Sequence, residues 1–226
     1  MTQESVVNKA MRIAEEGKAA FVNGTFGTFE KFPESLRNRF TVALRFDAHS
    51  EWECGGNIVD RLLLSLELNT EGWKLFLAQR DFLLHVTLLE GMYEGSDAAE
   101  RYRIFRELNT NISIAEVAEN IRGMVIPFKL LIPDKGGNIL LLADEIPDLI
   151  LEAREQLATT YAKYGLRPLL IEDLLHATVA RVMNLPTDAG TQVLDKLAQI
   201  SRAFAHEPLT LRVSHVVAMN SYDFLT

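Results

Sequence analysis

The sequence predicts an α+β domain made of two similar halves. Helical and strand periodicities interleave twice along the chain, one six-residue pattern recurs once in each half, and 48% of the 226 residues are hydrophobic, enough for a sizeable core.

Residues 4–22 set Val6, Val7, Met11, Ile13 and Ala14 at helical spacing and predict an amphipathic helix. The Gly-rich stretch after it, NGTFGTFEKFPESLRN, reads as a surface loop. Residues 1–39 are therefore expected to be a helix-and-loop extension, and 40–226 a single domain. Phe40–Phe46, Trp73–Ala78 and Phe82–Leu89 are apolar, rich in strand formers, and predict three strands. Val59–Leu68, between the first two, has helical character.

Ser96 is the expected N-cap of a helix running to Leu108, with Asp97 in its first turn. A short helix at Ile114–Ile121 follows. Pro127–Leu142 then reads as a hairpin, two apolar runs joined at Asp134–Asn138. Without a following helix, its two glycines make a turn rather than a phosphate cradle. Pro147 suits the first turn of a helix to Tyr164, which Gly165 ends. Arg167–Val182 gives one or two strands, Asp188–Ala205 a helix, and Leu209–Met219 a last strand.

The composition narrows the partners. A formal charge of −8 argues against long nucleic acids, whose binding relies on many Lys and Arg contacts to phosphates. It leaves room for a small nucleotide or short oligonucleotide held by a few local cations. No apolar run reaches the roughly 18 residues of a membrane span, and the first residues lack a leader pattern. The single cysteine, Cys54, can form neither an internal disulfide nor a cysteine zinc cage, and an unpaired thiol fits a reducing compartment, so the cytoplasm is expected; a monomer is expected as well.

The recurring pattern carries the chemistry. Leu83-Leu84-His85-Val86-Thr87-Leu88 and Leu174-Leu175-His176-Ala177-Thr178-Val179 agree at four positions and stand 91 residues apart (176 minus 85). In a strand, side chains two apart share a face, so His85 and Thr87 project together, as do His176 and Thr178. One such histidine in an apolar strand is ordinarily a core residue. Two with matched flanks point to function. If the halves pair about a pseudo-two-fold axis, both His–Thr pairs meet over one groove. One imidazole can then serve as general base and the other as general acid, in either order, while the hydroxyls donate to phosphoryl oxygens.

HVTL and HATV resemble the paired H-x-T-hydrophobic motifs of the two-histidine (2H) phosphoesterase superfamily, which includes 2′-5′ RNA ligase-like proteins and cyclic phosphodiesterases. The second copy runs on to Ala180-Arg181, similar to the H-x-T-x-A-R form of the RNA ligase-like branch, where the first has Leu89-Glu90. The resemblance spans about residues 40–222. It implies a bilobal fold of two antiparallel sheets facing a central groove, with helices outside. It further implies hydrolysis of 2′,3′-cyclic or related small phosphodiesters without metal or cofactor, with His85 and His176 as acid and base and Thr87 and Thr178 on the phosphate.

Arg181 lies five residues beyond His176, on the opposite face under strict alternation, and a bulge would turn it toward the phosphate. Tyr93 and Tyr222 are candidates for stacking on a base. His49, His206 and His215 are expected to be non-catalytic. A zinc site on His85 and His176 would need a third ligand such as Asp173 or Glu90, and no metal-binding spacing supports it. Two rival readings remain: a non-catalytic nucleotide- or phosphoprotein-binding module, and an RNA 2′-5′ ligase or 3′-end-processing enzyme. The latter would need a basic patch from Arg101, Arg103, Arg106, Arg122 and Lys129.

Overall fold

The computed structural model describes residues 6–25, 38–46, 74–77, 85–169, 174–184 and 189–220. Its elements are α1 (Val6–Asn23), β1 (Arg39–Phe46), β2 (Lys74–Leu77), β3 (His85–Met92), α2 (Ala98–Asn109), α3 (Ile112–Ile121) and β4 (Val125–Phe128), then β5 (Leu130–Pro133), β6 (Asn138–Leu142), α4 (Asp148–Lys163), β7 (Arg167–Leu169), β8 (His176–Asn184), α5 (Ala189–His206) and β9 (Leu209–Asn220). This is the α+β class expected. The helix and loop expected over 59–68 and 26–37, and the start of the strand at 82–84, lie outside the described residues.

The strands follow the order β4-β9-β1-β3-β8-β6-β5, antiparallel throughout. Two groups, β4-β9-β1-β3 and β8-β6-β5, are joined by a single residue pair between the motif strands, Val86↔Ala177. Beyond that junction the halves exchange short strands. β7, which precedes the second motif, pairs with the far end of β3, and β2, which precedes the first, pairs with β8. The halves are also alike in their irregularities. The β1–β3 register skips Leu88 and the β6–β8 register skips Val179, each three residues after its histidine.

One apolar core lies on the side of these strands that carries Val42, Leu44, Val86, Leu141, Ala177 and Val179, where it meets Ile104 and Leu108 of α2, Val117 and Ile121 of α3, Leu157 and Tyr161 of α4 and Val193 and Leu197 of α5. Tyr161 is fully buried, and its hydroxyl donates to the Phe40 carbonyl at 3.2 Å. Gly91 is obligatory beneath that ring, because a Cβ there would lie 2.5 Å from it.

Helix α1 packs differently. Ala10, with Val6 and Ile13 beside it, covers Leu140, Leu142 and Leu174 on the other face of β6 and β8, where Leu130 and Ile132 of β5 join them. Its C-terminal part continues past β5 to α5: a Cβ on Gly17 would sit 2.2 Å from the Pro133 carbonyl oxygen, and one on Gly190 2.2 Å from that of Phe21. Two glycines thus let backbone approach backbone, and the helix shields a sheet edge that would otherwise offer unpaired groups.

Two local expectations are corrected. The cap of α2 is Asp97, not Ser96: its carboxylate accepts the Ala99 N–H at 2.8 Å, the stronger acceptor prevailing where two capping residues adjoin. The expected Pro127–Leu142 hairpin is shorter, because Val125–Phe128 pairs with β9 and only Leu130–Pro133 pairs with β6. The apolar run from 125 to 132 serves both groups, and strand periodicity does not mark where the chain changes partner. The turn itself is as expected, with Asp134 accepting from Gly136 and Asn138.

Candidate active site

The junction of β3 and β8 builds the site. Val86 and Ala177 are partners and 0% exposed, their side chains in the core. The residues on either side of each, His85 and Thr87, His176 and Thr178, are therefore on the opposite face, and all four are half-buried. Continuing the antiparallel register about that pair sets His85 across from Thr178 and Thr87 across from His176. The local two-fold axis runs through the junction, with a histidine and a threonine on each side of it.

The next strands outward differ. The Cα partner of His85 on β1 is Arg45, whose partner on β9 is His215. The partner of His176 on β6 is Leu142, whose partner on β5 is Leu130. One side of the site thus carries half-buried Arg45 and exposed His215. The other carries Leu142, 0% exposed beneath α1.

This setting acts on His176. Burial is the main cause that pushes its pKa down to about 4, with the neighbouring charges of His85 and Arg154 adding and Asp134 opposing. His176 is a neutral imidazole at physiological pH, held near His85. Arg154 of α4 braces the site from the core side. Its Nε donates to the Leu88 carbonyl at 3.0 Å and its Nη2 to that of Leu174 at 2.8 Å, tying the bulge of one motif strand to the entry of the other.

The remaining expected residues are placed as follows. Arg181 pairs through its backbone with Phe76 and Asn138. The skipped Val179 resets the strand's alternation before it, but its side chain lies outside the described residues, as do Tyr222, Asp173, His49 and Cys54. Tyr93 is half-buried against the core. Glu90 is 3.4 Å from Arg39. His206 ends α5, exposed. Arg103, Arg122 and Lys129 of the supposed basic patch are paired with Glu100 and Glu107, Glu119, and Asp144, and Arg101 donates to Asn38. Three of these five cations thus have carboxylate partners, while the partner of Arg101 is a neutral amide. Among the described residues no three His, Cys, Asp or Glu cluster as metal ligands, and no helix is long and apolar enough to cross a membrane.

Sequence reasoning passed over Arg45 and Arg154 and set His215 aside. For Arg45 the signal was present, an arginine inside the apolar run FTVALRF. For Arg154 there was none, since its role depends on two carbonyls distant in sequence.

Residues 140–222 match the family model described as LigT like Phosphoesterase. The stretch runs from β6 through β9, includes His176 and Thr178, and carries the expected resemblance to the two-histidine phosphoesterases. No protein of curated function matches the chain. Among solved structures it is similar to the MHV ns2 PDE domain, at 16% identity and a TM-score of 0.43, covering 66% of this chain and 88% of that one. It is also similar to Usb1 of Kluyveromyces marxianus, at 14% identity and a TM-score of 0.42 over 84% of this chain and 96% of that one. The same protein solved with uridine monophosphate gives 14%, 0.44, 82% and 95%.

Proposed function

We propose that the protein is a phosphoric diester hydrolase acting on 2′,3′-cyclic or related small nucleotide phosphodiesters, with His176 as general base and His85 as general acid. The observation that carries this reading is the Val86↔Ala177 junction, which gives two His–Thr pairs a common face. A binding module needs phosphate donors but has no use for a matched acid and base.

In the forward step the substrate's phosphorus sits between the two rings. Neutral His176 takes a proton from water as the water oxygen bonds to phosphorus. The bond from phosphorus to a ribose oxygen breaks, and that oxygen receives the proton of His85. Thr87 and Thr178 donate to the phosphoryl oxygens as their charge grows, and Arg181 is the candidate for a further cationic contact. The low pKa of His176 makes it a weak base in the free protein, but an anionic phosphodiester beside it favours the imidazolium and raises that pKa toward the working range.

The test is turnover of 2′,3′-cyclic nucleotides in EDTA by the intact protein and by folded His85→Ala and His176→Ala variants. Turnover that falls about 10²- to 10⁴-fold in each variant is expected. Activity abolished by EDTA and restored by zinc or manganese would sink the metal-independent mechanism. Binding of nucleotide that survives replacement of both histidines, with no turnover, would favour the binding module.

A further inference from the structure

The local two-fold axis relates Arg45 to Leu142 and His215 to Leu130, and the two sides of the groove are opposite in character. On the β6–β5 side, Leu142, Leu130, Leu140 and Ile132 are roofed by α1. A charged group of a ligand placed against that apolar cluster would lose its water without a polar partner in it, at a cost of several kcal/mol. On the β1–β9 side no helix among the described residues covers the groove face. Arg45 adjoins His85, and His215 is exposed one strand further. Ser214 Oγ is 2.7 Å from His215 Nδ1, which fixes the ring and leaves Nε2 for another partner.

We propose that Arg45 and His215 form a subsite for a second phosphate of the substrate, lying on the β9 side of the reacting phosphodiester. This rests on the two-histidine reading of His85 and His176. Adjacent strands are about 4.8 Å apart, so Arg45 stands one strand and His215 two strands, about 10 Å, outward from His85. That is the scale of one ribose between two phosphates. A guanidinium suits this role through its paired N–H groups, which match phosphate oxygens. The substrate class is therefore a nucleotide or short oligonucleotide with a phosphate one sugar away from the bond that reacts, its chain running toward β9 and away from α1.

Calorimetry with a nucleoside 3′-monophosphate and the corresponding 3′,5′-bisphosphate tests this. The intact protein is expected to bind the bisphosphate at least tenfold more tightly. Arg45→Ala should reduce that ratio to threefold or less, Arg45→Lys should leave it intermediate, and His215→Ala, at an exposed position that tolerates change, should lower it independently. Arg122→Ala, remote and paired with Glu119, should leave it intact. Equal binding of the two ligands by the intact protein, or a ratio that survives the Arg45→Ala/His215→Ala double variant, overturns the subsite and spares the two-histidine site. Failure of both ligands to bind overturns both.

Discussion

The two sides of the groove share a strand pattern, a bulge position and an exchanged short strand, and they diverge one residue outward from each histidine. Beside His85 stands Arg45, and beside His176 stands Leu142. The strand frame is set by the core face, where Val86, Leu88, Ala177 and Val179 are all 0% exposed and admit little variation. The groove face carries no such constraint and can be either polar or apolar. On the second side it is apolar and lies beneath a helix. His176 owes its lowered pKa first to burial, and the same apolar surroundings leave the other side for charge.

Stability should register this contrast most strongly. Leu142→Ala removes a fully buried side chain from beneath α1 and should cost about 2–5 kcal/mol in denaturant unfolding. Arg45→Ala, at the related position on the open side, should cost less than half as much. Equal losses would break the asymmetry.

The pH dependence of folding should show the buried side next. The folded pKa of His176 lies below its unfolded value of 6.5, at about 4, so between those values the unfolded chain binds a proton that the folded one does not. Stability is full above pH 6.5 and falls as the pH drops to 4, by about 3 kcal/mol. His176→Gln should flatten that part of the profile, and a profile unchanged by it would mean that the ring titrates as an exposed histidine does.

Much of this was legible in the sequence, for physical reasons. Repeated His-x-Thr patterns with apolar flanks fix strand and face, because period-two alternation sets His and Thr opposite the residue between them; the pairing of the two strands at Val86 and Ala177 emerges only in the structure. The helices were legible from caps and periodicity, to within a residue at Asp97. The division of the 125–132 run was not, since both of its parts are apolar. Nor was the position of α1. The sequence sets Val6, Val7, Met11, Ile13 and Ala14 at helical spacing, but Val7 and Met11 are exposed, and the buried stripe runs instead through Ala10, with Val6 and Ile13 beside it, onto Leu142. The contribution of Arg154 is likewise invisible until Leu88 and Leu174 come together.

The smallest effect belongs to a reciprocal exchange at the outermost related pair. His215→Leu gives β9 the residue type of its counterpart on β5. Because position 215 is exposed, stability should stay within about 0.5 kcal/mol. Leu130→His makes the opposite change beneath α1, where the imidazole replaces a side chain packed on Leu142 and Ala10, and should cost about 1–3 kcal/mol, more at pH 5 than at pH 8 because the charged ring is the harder to bury. The unfolding midpoints of the two variants at both pH values decide it. A cost at 215 as large as at 130 would mean that something covers the β9 side as α1 covers the other, and the groove would then be closed at both ends.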